Sequence, residues 1–99
     1  MEKVYLGHVA VDSGQLMVTD PSYVRDFDNN NFEDAEPDNS YSYNGSCHTT
    51  LNEDGGGMLQ HNGIYLGVAF SSGYGDGRYP VYGYMNKDQR ITKVEILMD

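Results

Sequence analysis

The chain has one cysteine, no tryptophan and only six lysine and arginine residues. The lone Cys47 excludes an internal disulfide framework. No apolar run is long enough to span a bilayer, and no leader with a basic start and an apolar centre precedes the first strand-like segment. From these absences we expect a cytoplasmic protein without a membrane partner.

Cations are scarce beside the acids. Fifteen Asp and Glu residues against six Lys and Arg give a formal net charge of -9 at pH 7. Such a charge repels phosphate backbones and anionic lipid surfaces, so we expect no direct nucleic-acid partner. Two interpretations of the acidity stay open: a solubilising surface, or an acidic face that docks on a basic patch of another protein.

Length limits the architecture. Ninety-nine residues are enough for one domain, 1–99, with one modest core. Nine of the twelve aromatic residues are Tyr and three are Phe, so many core rings must carry a hydroxyl group. A buried Tyr hydroxyl normally needs a hydrogen-bond partner. We therefore expect hydrogen bonds from Tyr hydroxyls inside the fold.

The first half of the chain shows strand patterns separated by turn residues. Residues 4–11 are rich in β-branched and aromatic residues, and Asp12-Ser13-Gly14 leads to a second apolar stretch at 16–18. This pattern predicts a hairpin. Tyr41 and Tyr43 are spaced to share one face of an extended segment, and Asn44-Gly45 is turn chemistry before residues 46–51.

The second half is more clearly patterned. Residues 64–70 form a continuous apolar stretch typical of a central strand, and 79–85 and 91–98 flank a short polar connection typical of a hairpin. In the last segment apolar residues alternate with Lys93 and Glu95, as in a half-buried strand. No segment shows a helical period. The prediction is an all-β, antiparallel sandwich or small, partly open barrel of six or seven strands.

A long acidic loop is predicted at about 25–39, where Asp, Asn and Glu dominate. Within it, residues 26–31 resemble the opening of a calcium-binding loop. The twelfth position, where a bidentate Glu belongs, is Pro37, and the flanking segments are not helical in pattern. The three histidines show no zinc-ligand spacing either. We predict no metal site and no cofactor.

Cys47 and His48 are adjacent, which suggests a nucleophile and its base. Neighbours on an extended strand point to opposite faces, so the pair would not meet, and a free cysteine is often a buried structural residue. No catalytic residue is predicted on this basis.

The richest local signal is the glycine turn, residues 72–77, which carries three alternating glycines and Asp76 before a strand-like segment. Such a turn either joins two strands or cradles a ligand. Turn carboxylates usually accept hydrogen bonds from nearby backbone amides, but several turns gathered at one end of a sheet could line a polar pocket. The candidate ligand-binding residues are Asp12, Asp20, Tyr23, Asp76, Arg78 and Tyr79.

Two motifs carry a resemblance. The run VDSGQLMVTDPSY at 11–23 and the run GDGRYPVY at 75–82 resemble a family of short bacterial and phage proteins of unknown function. The resemblance covers most of the chain outside 25–39. Members of that family often have cysteine where this chain has Ser22, which counts against a required thiol at that position. The resemblance implies a compact β domain in a bacterial or phage cytosol and no established reaction.

Three functional hypotheses follow. The first is a non-enzymatic acidic binding protein, phage-encoded, that engages a host protein or a small molecule. The second is a small hydrolase or lyase with Asp76 or Asp12 as general acid or base, assisted by Cys47 or His48. The third is a structural homodimer or larger homo-oligomer, built through exposed sheet edges.

Overall fold

The computed structural model describes residues 1–29 and 38–99. The all-β class, the antiparallel pairing and the count of six strands are confirmed. In chain order the elements are β1 (Glu2–Val11), β2 (Gln15–Thr19), a 3-10 helix (Pro21–Asp26), α1 (Tyr43–Thr50), β3 (Gly56–His61), β4 (Ile64–Ser71), β5 (Gly77–Met85) and β6 (Ile91–Ile96). They form two compact units: the terminal unit, Met1–Gly14 with Ser72–Asp99, and the central unit, Gln15–Ser71.

The terminal unit contains an antiparallel sheet of order β1-β5-β6. The predicted hairpin of the last two strands is confirmed, with Val81 opposite Ile96. Its turn is closed by Asn86, whose side-chain oxygen accepts hydrogen bonds from the amides of Asp88 and Arg90 at 2.9 and 3.1 Å. The half-buried pattern predicted for the last strand is wrong at Val94, which is 55% exposed.

The predicted hairpin between the first two strands is wrong. β1 pairs with β5, from Glu2 opposite Met85 to Val11 opposite Gly77, whereas β2 pairs with β4. The intervening residues do have turn chemistry, and Gly14 has a φ of +68°. The backbone amide and carbonyl of Gly14 bond to Asp76 and Ser72, so this turn is fastened to the glycine turn instead of closing a hairpin.

The central unit contains a second antiparallel sheet, of order β2-β4-β3, so the central position predicted for residues 64–70 is confirmed. Its core is built on Tyr41, Leu59 and Ala69. The Tyr41 hydroxyl lies 2.7 Å from Thr19 Oγ1, which itself donates to the carbonyl of Leu66 at 2.8 Å. Because that bond uses the threonine proton, Tyr41 is the donor to Thr19, as expected of a buried Tyr hydroxyl.

The expectation of no helix is wrong at α1. Ser42 caps this helix by accepting a hydrogen bond from the Gly45 amide at 2.9 Å. Tyr43 therefore belongs to a helix, while Tyr41 is 3% exposed in the core, and the two do not share a strand face. Asn, Gly and Thr are weak helix formers, which is why the local pattern did not predict the element. Packing against β2, β3 and β4 stabilises it instead.

The 3-10 helix occupies the start of the predicted acidic loop. It begins after Asp20, with Pro21 at its first position, and ends at Asp26. Residues 30–37 of that loop, including Pro37, lie outside the described residues. Within the described ranges, no helix has the length and apolar character needed to cross a bilayer.

Candidate functional site

The glycine turn is organised around the carbonyl oxygen of Gly75. The hydroxyl groups of Ser72 and Tyr79 both donate to it, at 2.6 and 2.7 Å. Ser72 is fully buried and Tyr79 is 7% exposed. Gly73 and Gly75 have φ of +79° and +89°, angles that residues with a Cβ atom rarely adopt. Two buried hydroxyls therefore hold the Gly75 carbonyl in place.

Asp76 fastens this turn to the end of β1. Its Oδ1 accepts a hydrogen bond from the Gly14 amide at 2.8 Å, and the Ser72 amide donates to the Gly14 carbonyl at 3.0 Å. These bonds join residues far apart in the chain. The carboxylate thus does what turn carboxylates commonly do, which is to satisfy a backbone donor.

The other predicted residues of the terminal unit differ in setting. Asp12 and Arg78 are exposed. Arg78 and Tyr79 are neighbours on β5 and so point to opposite faces of the sheet, with Arg78 opposite Ala10 and Tyr79 opposite Val9. Among the described residues, every buried side-chain nitrogen or oxygen has a hydrogen-bond partner. The polar groups of the glycine turn are therefore used within the fold, by the turn itself and by Gly14.

Asp20 and Tyr23 lie in the central unit. Asp20 is the N-cap of the 3-10 helix, and its carboxylate accepts from the Ser22 amide at 2.9 Å. The hydrogen bonds from the backbone and side chain of Ser22 lower the pKa of this exposed carboxyl. Tyr23 is 45% exposed. That all six predicted residues converge on one ligand stays a prediction.

Cys47 lies on a helix, not on the predicted strand, and is partly exposed. Its sulfur accepts a hydrogen bond from the Gln15 side-chain amide at 3.3 Å. An amide cannot act as the base that a thiol nucleophile requires. In the ranges 1–29 and 38–99, no three His, Cys, Asp or Glu side chains are placed to hold a metal ion.

Sequence reasoning missed a second surface on the terminal sheet, here called the tyrosine–lysine face. Residues that lie opposite each other on neighbouring strands share a face of the sheet. Two successive rows of three residues form this face: Lys3, Tyr84 and Lys93 in one row, and Tyr5, Tyr82 and Glu95 in the next. The sequence does show the local spacing, since Lys3 and Tyr5, Tyr82 and Tyr84, and Lys93 and Glu95 each lie two residues apart. It does not show that β1 and β6 flank β5, which is what brings these residues onto one face.

Cations on this face lie over its rings. Lys3 Nζ is 4.3 Å from the centre of the Tyr82 ring, and Lys93 Nζ is 4.6 Å from that of Tyr84. Lys3 also pairs with Glu95 at 3.4 Å. Desolvation opposes the charge on Lys3, but hydrogen bonding to Glu95 and the interactions with Tyr84 outweigh it and raise its pKa. Lys3 is therefore held charged, and the ammonium groups of both lysines lie close to the sheet.

The face continues along β1. The rings of Tyr5 and Tyr82 meet edge to face at 6.0 Å, and Tyr5 also meets His8 edge to face at 5.3 Å. The Tyr5 hydroxyl and His8 Nδ1 are hydrogen-bonded. A bulge between Tyr5 and Gly7 brings His8 onto the same face as Tyr5. The result is an exposed aromatic and cationic surface on an open sheet.

Comparison with known proteins finds one family and no individual relative. No curated protein and no solved structure matches the chain significantly. A family model described as a protein of unknown function (DUF4241) matches residues 2–96, which includes all six strands. The chain therefore belongs to the DUF4241 family.

Proposed function

We propose that this chain is a non-enzymatic binding protein that docks its acidic central unit on a basic surface of a partner protein. The supporting observation is the distribution of charge between the two units. The central unit contains nine acids and one cation, Arg25, and so has a formal net charge of -8. The terminal unit contains six acids and five cations, for a net charge of -1. The excess negative charge therefore lies almost entirely in the central unit, because five of the six cations lie in the terminal unit.

The acids of the central unit that the structure describes lie at its surface. A single arginine cannot neutralise nine carboxylates. Six of the nine lie in the described ranges and all six are exposed: Asp20, Asp26, Asp28, Asp38, Glu53 and Asp54. A negative electrostatic field of this kind raises the association rate with basic protein surfaces and disfavours binding to acidic ones.

Two residues of the catalytic hypothesis support binding over an enzyme. Asp76 accepts a hydrogen bond from the Gly14 amide, and the Cys47 sulfur accepts one from the side-chain amide of Gln15. These are structural uses, which leave no assembled nucleophile and base among the described residues. We place the protein in the bacterial cytoplasm, encoded by a bacterium or a phage and directed at a host protein; the two motifs at 11–23 and 75–82 support this origin.

The test is affinity capture from a bacterial lysate with two matched charge variants. The first, Asp38→Asn with Glu53→Gln and Asp54→Asn, removes three charges from the central unit. The second, Glu2→Gln with Asp88→Asn and Asp99→Asn, removes three from the terminal unit, where all three residues are exposed. We expect the parent chain and the second variant to retain the same basic proteins at 0.05 M salt, and the first variant to lose them.

Two results would overturn the proposal. Equal loss from both variants would show that net charge alone governs retention. Retention that persists at about 0.5 M salt would exclude electrostatic docking, because screening there is effective within a few ångströms. Native mass spectrometry of the chain purified from cells, beside Asp76→Ala, would detect a small ligand at the glycine turn instead.

A further inference from the structure

We infer that the tyrosine–lysine face binds an acidic segment of another polypeptide. The charge on this face is opposite to that of the chain as a whole. The residues that define the face include two of the six cations, Lys3 and Lys93, and one of the fifteen acids, Glu95. In a protein of net charge -9, a sheet face with net charge +1 is a local feature of its own.

The cations are positioned in advance of any partner. Each lysine lies over a tyrosine ring, and the two ammonium groups are 5.9 Å (Lys3) and 4.6 Å (Lys93) from the centre of the Tyr84 ring. Ordering long, flexible side chains is a large part of what weakens surface ion pairs. Here the tyrosine rings already restrict both lysine side chains. Binding a carboxylate between them therefore costs less conformational entropy, and more of the electrostatic attraction contributes to the affinity.

Geometry favours a polypeptide with spaced carboxylates. Lys3, Tyr84 and Lys93 lie in one row across three neighbouring strands. With strands about 4.8 Å apart, the backbones that carry the two lysines are about 10 Å apart. A peptide in the polyproline II conformation advances about 3.1 Å per residue with three residues per turn, so acids three positions apart lie on one side of it and match this spacing. Phenolic hydroxyls between the lysines add hydrogen-bond donors for carboxylate oxygens.

The same contacts argue against single-stranded nucleic acid. Stacking platforms bind bases on free aromatic faces. On this sheet lysine ammonium groups already lie over the rings of Tyr82 and Tyr84. A nucleic acid would also bring a continuous line of phosphates toward a chain with nine excess negative charges, whereas a peptide can confine its acids to the cationic face.

The experiment is an NMR titration of the 99-residue chain, labelled with ¹⁵N, with a capped peptide that has Glu at every third position and Ser elsewhere. The control peptide has Gln in place of each Glu. We expect amide shifts confined to β1, β5 and β6 with the Glu peptide, and none with the Gln peptide. Lys93→Glu should weaken binding about tenfold, because it replaces an attraction with a repulsion.

Lys87→Glu is the matched control. It makes the same change in net charge within the same unit, but Lys87 is exposed in the turn between β5 and β6 and lies off the face. It should leave the affinity nearly unchanged, and Lys93→Gln provides a milder variant should Lys93→Glu disturb the spectrum of the free chain.

Equal weakening by Lys87→Glu and Lys93→Glu, or absence of binding, overturns the inference. Shifts of β1, β5 and β6 that depend on protein concentration alone would do so as well, by identifying a second copy as the occupant. Tighter binding of oligothymidylate than of the Glu peptide would replace the polypeptide with a nucleic acid.

Discussion

The carboxylate of Asp76 accepts a hydrogen bond from the amide of Gly14, 62 positions earlier in the chain, at 2.8 Å. This bond links the turn that follows β1 to the turn that precedes β5, and these two strands are paired. Asp76, a candidate for ligand binding and catalysis in the sequence, therefore has a structural role. Its removal can be used to separate stability from binding.

Replacement of Asp76 should lower the free energy of unfolding. Asp76→Ala removes the acceptor of the Gly14 amide and should cost about 1 kcal/mol, while Asp76→Asn keeps an oxygen acceptor and should cost less than half of that. Urea unfolding measures both. Asp12→Ala, in an exposed position of the neighbouring turn, should be nearly neutral. Equal costs for all three variants would show that the bond does not stabilise the fold.

The two hydroxyls on the Gly75 carbonyl should be coupled. Tyr79→Phe and Ser72→Ala each leave one donor on that oxygen, and each should cost about 1 kcal/mol. The double variant leaves the carbonyl without a hydroxyl donor, so its cost should exceed the sum of the single costs. A thermodynamic cycle from urea unfolding gives the coupling, and strict additivity would contradict the shared-acceptor arrangement.

Asp20 should make stability depend on pH in the acid range. Its pKa is lowered in the folded chain by hydrogen bonds from Ser22, so the unfolded chain binds a proton more readily. The resulting stabilisation is present above the ordinary pKa of an aspartate, about 4, and is lost as pH falls through the lower folded value. The Tm difference between the parent chain and Asp20→Ala should therefore be largest near neutral pH and shrink below about pH 4. If the Tm difference between the two chains instead grew as the pH fell, the lowered pKa of Asp20 would not be what stabilises the fold.

Gly45 should tolerate no side chain. A Cβ atom built at this position would lie 2.0 Å from the carbonyl oxygen of Ser40, which is backbone and cannot move aside cheaply. We expect Gly45→Ala to destabilise the chain by about 3 kcal/mol or more, although alanine is the better helix former. His48→Ala, on the exposed side of the same helix, is the control and should be neutral or slightly stabilising. Thermal unfolding followed by circular dichroism distinguishes the two.

The sequence alone predicted what depends on local chemistry. Turn residues and short apolar segments were enough for the all-β class, the central strand at 64–70 and the final hairpin, because neighbouring segments determine those features. The general expectation that turn carboxylates accept hydrogen bonds from nearby backbone amides holds at Asp20, whose partner Ser22 lies two residues away. Net acidity likewise follows from composition, but its concentration in one unit required the fold.

Tertiary structure decided the remainder, because each such feature depends on residues distant in the chain. α1 has weak intrinsic propensity and is stabilised by packing against β2, β3 and β4. Gly14 lies in the turn between β1 and β2, but β1 pairs with β5, so a local turn signal predicted a hairpin that does not form. The tyrosine–lysine face joins the two ends of the chain across β5, and strand pairing, a long-range interaction, is what brings Lys3, Tyr84 and Lys93 into one row.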